Sequence, residues 1–136
     1  MTYTHGLDLQ ALLFAVLSGD AAVTAEVGGA IHDAAPATPP AGPYVLIGPE
    51  EARDRSDTTG RLTRHDVTIS VISDAPGFAT AKRAAAAISA ALADPLPSLG
   101  AGHLVSLRFL RARASRDATG DGRRIDLIFR ALIDGA

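Results

Sequence analysis

The stretch His65–Ser73, HDVTISVIS, decides the fold. Val67, Ile69 and Val71 alternate with Asp66, Thr68 and Ser70, the period of two that marks a strand with one buried face. On its C-terminal side Asp74-Ala75-Pro76-Gly77 punctuates the chain, and Phe78, Ala81, Ala85, Ile88 and Leu92 then recur at helical spacing. That spacing predicts a helix running to Asp94, where Pro95 and Pro97 forbid continuation. A long β-hairpin follows. Val105, Leu107 and Phe109 alternate with Ser106 and Arg108, the polar turn 117–122 reverses the chain, and Ile125, Leu127, Phe129, Ala131 and Ile133 alternate with Arg124, Asp126, Ile128 and Arg130. On its N-terminal side the charged segment 50–60, EEARDRSDTTG, reads as an exposed loop, preceded by the short apolar strand Tyr44–Ile47 closed by Gly48-Pro49. Four prolines in residues 33–43 make an extended connector. Before it, Leu9, Leu12, Leu13, Val16 and Leu17 form the stripe of a core-facing helix ended by Ser18-Gly19. Asp20 is placed to cap a second helix over Ala21–Val27, stopped by Gly28-Gly29. The expected architecture is one α+β domain over residues 1–136. Its four strands form a meandering, mainly antiparallel sheet with the helices on one face.

The 136 residues suffice for one core. Hydrophobic residues make up 47% and aromatics only 4%, so packing must come from Leu, Ile, Val and Ala, which favours support from neighbouring subunits. There is no cysteine, which removes disulfides, thiolate metal sites and cysteine nucleophiles together. Met1–Gly6 lacks the basic start of a signal peptide, and no apolar run approaches the ~20 residues of a membrane span. A cytoplasmic, membrane-free product is expected.

Catalytic patterns are missing. His5, His32, His65 and His103 show no metal-ligand spacing, no G-x-S-x-G elbow occurs, and neither glycine cluster sits between a strand and a helix as a phosphate loop requires. Glu50-Glu51, read in a solvated loop, has nothing to raise a carboxyl pKa for acid catalysis. No enzyme activity and no cofactor are expected.

Charge is segregated. Residues 1–52 hold six acids and no Lys or Arg, a charge of −6, and residues 53–136 hold all thirteen basic residues and nine acids, a charge of +4. Opposite signs on two parts of one chain can draw copies together head to tail. Guanidinium groups suit paired contacts with carboxylates, which makes Arg53, Asp54, Arg55, Asp57 and Arg61 of the charged loop candidate interface residues. Arg111, Arg113, Arg116, Arg123 and Arg124 of the hairpin join them. Strict alternation puts Arg111 and Arg113 on the face of Val105, Leu107 and Phe109. A solvated strand face accounts for the same arginines, and a nucleic-acid reading is weakened by the net charge of −2 and the lack of interleaved aromatics.

Taken in order, the L-x-x-L-L-x-x-V-L helix, PYVLIGP (Pro43–Pro49), HDVTISVIS, GFATAKR (Gly77–Arg83), HLVSLRFLRARASRD (His103–Asp117) and RRIDLIFRALI (Arg123–Ile133) resemble the tail-completion or tail-terminator proteins of long-tailed phages, above all the version in alphaproteobacterial gene transfer agents. The resemblance covers nearly the whole chain. It implies a structural protein of a virion tail, assembled in the bacterial cytoplasm. Its copies would form a homo-oligomeric ring, typically a hexamer, capping the tail tube protein and meeting a head–tail connector or adaptor while double-stranded DNA passes through the lumen. A different head–tail adaptor or tube component of the same particle is the neighbouring reading. A small enzyme or ligand-binding domain is the distant one.

Overall fold

The computed structural model describes residues 3–38, 40–58, 60–93, 99–100, 102–116 and 122–135. In chain order the elements are helix α1 (Gly6–Gly19), helix α2 (Ala21–Val27), strand β1 (Ile31–His32), strand β2 (Tyr44–Asp54), strand β3 (Leu62–Ser73), helix α3 (Ala79–Ala91), strand β4 (His103–Arg116) and strand β5 (Arg123–Asp134). The helix end read at Asp94–Pro97 and all of the 117–122 turn except Gly122 lie outside the described residues.

The α+β expectation holds, with five strands where four were expected, in the order β1-β2-β3-β5-β4. The extra strand is the two-residue β1, which pairs parallel with β2 through Ile31 and Val45. Two residues carry no readable periodicity. Nor is the sheet a meander: β5 inserts between β3 and β4, so α3 carries the chain over β5 to the far edge. The expected loop at 50–60 is also shorter than read. Glu50–Asp54 continue β2 past an irregularity at Gly48-Pro49 and pair with Val67–Thr63 of β3. Ladder hydrogen bonds override the low strand propensity of the charged side chains.

The three helices pack on one face. Val45, Ile47, Val67, Ile69, Val71, Ile125, Leu127, Phe129, Ala131 and Ile133 from the sheet meet Leu9, Leu13, Leu17, Val23, Ala81, Ala84, Ile88 and Leu92 in one core. Alanines in α3 let it lie close to β3 and β5. Asp20 caps α2 as expected, its carboxylate accepting from Val23 N–H at 3.0 Å. Phe78 does not join the buried stripe of α3. It stands at the helix start with the Arg123 guanidinium 5.3 Å from its ring centre.

Candidate functional site

The face of the sheet opposite the helices is open, and the register fixes what it displays. Arg53 and Glu51 of β2, Arg64 and Asp66 of β3, and Arg124, Asp126 and Arg130 of β5 lie on this side. In β4 the register shifts twice, between Leu104 and Ser106 and between Phe109 and Arg111, leaving Val105 and Leu110 as extra residues. Each bulge changes which residues share a face. Arg108, Arg111 and Arg113 therefore stand together on the open side, opposite Arg130, Ile128 and Asp126, while Leu107 and Phe109 face the helix side. This corrects the alternation that placed Arg111 and Arg113 with Val105, Leu107 and Phe109. Val105, displaced by the first bulge, is exposed.

Across this face the charges are partly compensated. Arg130 donates to both oxygens of Asp66 at 2.8 and 3.1 Å, and Arg64 stands 3.8 Å from the same carboxylate. Arg124 donates to Asp126 at 2.8 Å, and Ser70, fully buried, donates to the same oxygen at 2.5 Å. Arg53 pairs with Glu51 at 2.6 Å near the strand end. Arg108, Arg111 and Arg113 of β4 have no such partner among the described residues. They border a cleft of about 410 Å³ that Arg111, Arg113, Arg124, Asp126 and Ile128 line. A smaller cleft of about 190 Å³ gathers Arg55, Arg64, Arg108 and Arg130.

Of the expected interface residues, the structure unites some and separates others. Arg53, Arg111, Arg113 and Arg124 share the open face. Asp54, Arg55, Asp57 and Arg61 form the β2–β3 end of the sheet, where Asp54 accepts from Ser56 N–H and Asp57 from Gly60 N–H, both at 2.9 Å. Arg116 and Arg123 pair across β4 and β5 at the opposite end. Twelve residues of β3 separate the two ends, a span of roughly 40 Å. Sequence reasoning missed Arg64, which joins this face only through the pairing of β3 with β5, and counted Arg108 and Arg130 among the basic residues of the hairpin without naming them as interface candidates.

The helix side hides a polar cluster. His65 is 1% exposed, and its Nδ1 lies 3.1 Å from Glu50 Oε2. Tyr3 stacks on the His65 ring and donates its hydroxyl to Glu50. Glu50 is thus partly enclosed in a strand and not part of a solvated loop. No group of three potential metal ligands occurs among the described residues, and no single helix among them is long and apolar enough to cross a membrane.

The hydrogen bond from Arg130 holds the Asp66 carboxyl below the ordinary carboxylate range, against the opposing effect of burial. A folded value below the unfolded one stabilises the protein above about pH 4, and that contribution disappears as pH falls through the depressed value. Asp66→Asn is expected to cost about 1 kcal/mol at pH 7, modest because the pair is partly exposed. The gap between variant and parent should narrow as pH falls below about 4, as urea unfolding across that range will show.

Comparison with known proteins adds two findings. The family model described as "Tail completion protein gp17" matches residues 11–134. A chain of the solved structure described as "Virion of native gene transfer agent (GTA) particle" superposes with a TM-score of 0.91. It is 51% identical and the match covers 98% of this chain and 100% of that one. No curated protein matches.

Proposed function

The chain belongs to the tail completion protein gp17 family, and from that premise we propose that it is a structural, non-enzymatic tail terminator of a phage-like particle. Identity of 51% along practically the full length to a chain of a gene transfer agent virion carries the reading. Copies of the chain close into a ring, as a hexamer, on the last ring of tail tube protein. The ring stops tube polymerisation and receives the head–tail connector, and double-stranded DNA passes through its lumen. Assembly takes place in the bacterial cytoplasm.

The geometry supports a part that joins two others. The sheet ends are separated and each carries charge: Asp54, Arg55, Asp57 and Arg61 at one, Arg116 and Arg123 at the other. One end contacts the tube and the other the connector, and the arginines of the open face serve contacts between chains. A sheet face furnished with arginine and carboxylate pairs fits a binding role.

Electron microscopy of particles made without the protein tests this. Overlong or headless tails are expected, and a complete absence of tails would identify the chain as a tube component instead. A second expectation concerns the β2–β3 end. Deleting residues 56–60 should leave a folded chain that fails to cap tails, and particles of normal length from that variant would remove this end from the contact.

A further inference from the structure

β1 and β4 end the strand order on opposite sides, and the two edges differ in charge. From Ala21 to Ala52 the chain holds Glu26, Asp33, Glu50 and Glu51 and no Lys or Arg. Glu26 stands 3.7 Å from Arg83, Glu50 contacts His65 at 3.1 Å, and Glu51 contacts Arg53 at 2.6 Å. Asp33 directly follows β1 and is exposed. It accepts from the Gln10 amide at 3.0 Å and meets no cation among the described residues.

The β4 side shows the converse. Arg108 is exposed and stands directly opposite Arg130 on the open face, an arrangement of like charges that destabilises a sheet. Asp66 does not relieve it. Both of its oxygens accept from Arg130, and Arg64 stays 3.8 Å away with its Nε buried and without a hydrogen-bond partner. With Arg55, these three guanidinium groups line a cleft of about 190 Å³ that has no carboxylate in its wall. The neighbouring cleft of about 410 Å³ has its own, Asp126.

Guanidinium groups converging on one cleft suit an oxyanion held by paired N–H donors. We infer that the Arg55–Arg64–Arg108–Arg130 cleft is a carboxylate site filled by Asp33 of a second copy. The inference rests on the ring reading and specifies how the ring is joined. Each copy gives a carboxylate at its β1 edge and receives one beside its β4 edge. Every copy therefore has two neighbours, and repetition closes a ring. Arg64 gains the acceptor it lacks, and the repulsion between Arg108 and Arg130 is relieved. A DNA duplex suits this face less well, because Glu51, Asp66 and Asp126 stand on it and the chain as a whole carries −2.

Charge reversal in assembled particles tests the contact. Arg108 and Asp33 are both exposed, so Arg108→Asp and Asp33→Arg should each keep the parent's urea midpoint. Each alone brings like charges together and should lower the amount of this chain in purified particles at least about tenfold. With both changes in every copy the charges are opposite again, and most of the lost protein should return. Should a reversal lower the urea midpoint, Arg108→Gln and Asp33→Asn replace it, and their two losses should overlap and not multiply. Losses that multiply would overturn the contact. So would parent-like amounts of Arg108→Asp, or no recovery in the combined reversal. A loss in Arg108→Asp beside a normal Asp33→Arg would assign the cleft to a DNA phosphate or to a different particle protein, and the second copy would be overturned. In each of these cases a ring of this chain in particle images leaves the ring reading standing, whereas a single copy per particle removes both.

Discussion

Replacing Phe129 by alanine is expected to lower the unfolding free energy by about 3–5 kcal/mol. A domain of this size commands only about 5–15 kcal/mol, so the loss is a large fraction of its stability. Phe129 is the only one of the four phenylalanines in the core, at 2% exposure on the central part of β5. It stands opposite Val67 of β3 on one side and Phe109 of β4 on the other. The surrounding core is aliphatic and rich in alanine, and small side chains cannot swing inward to fill a void left by an aromatic ring. Phe129→Leu keeps most of the volume and should cost less than about 1.5 kcal/mol. Urea unfolding with an unchanged slope measures both. A loss under about 1 kcal/mol for the alanine variant would mean that the sheet and helices close over the cavity, contrary to an interior packed by backbone pairing.

The strands with clean alternation were legible in the sequence because one face of each is buried along its whole length. Val67, Ile69 and Val71 in β3 and Ile125 to Ile133 in β5 are such cases. β4 defeated the same logic. Its sequence alternates, but two bulges reset the pairing, and a bulge is decided by the partner strand and not by the residue that bulges. The charged run Glu50–Asp54 hid a strand because its stabilisation comes from β3 across the ladder. In α1 the buried stripe stood out, while the exposed Leu7 and Phe14 passed unnoticed since they merely extend a helix already read as apolar. Of the candidate interface, the residue type was readable and the grouping was not. Arg111 and Arg124 come to share one cleft only because the bulges of β4 turn Arg111 to the open face. Core residues answer to their own chain, but residues that serve contacts between chains need no local pattern that a single chain would reveal.

The start of α1 is the other position where a small change should have a large effect. His5 precedes the helix without making a side-chain cap, yet it is 8% exposed. It is held there by glycines. A Cβ at Gly102 would lie 2.8 Å from His5 Cε1 and 3.0 Å from the Asp134 carbonyl oxygen, and a Cβ at Gly135 would lie 2.8 Å from His5 Nε2. The imidazole thus occupies space that only glycine leaves, and it pins α1 to the end of the sheet. The two sites differ in one respect. Gly102 has φ +75°, which L side chains rarely adopt, and Gly135 has no such constraint. Gly102→Ala is expected to cost about 2–4 kcal/mol, combining backbone strain with overpacking. Gly135→Ala carries only the clash with the ring. Adding His5→Ala separates these contributions: in that background Gly135→Ala should cost almost nothing, while Gly102→Ala should retain about 1–2 kcal/mol from its φ and from the Asp134 carbonyl. Urea unfolding of the parent and five variants completes both cycles. A penalty for each glycine that is unchanged by His5→Ala would show that His5 is a bystander and that α1 is positioned by its buried leucines alone.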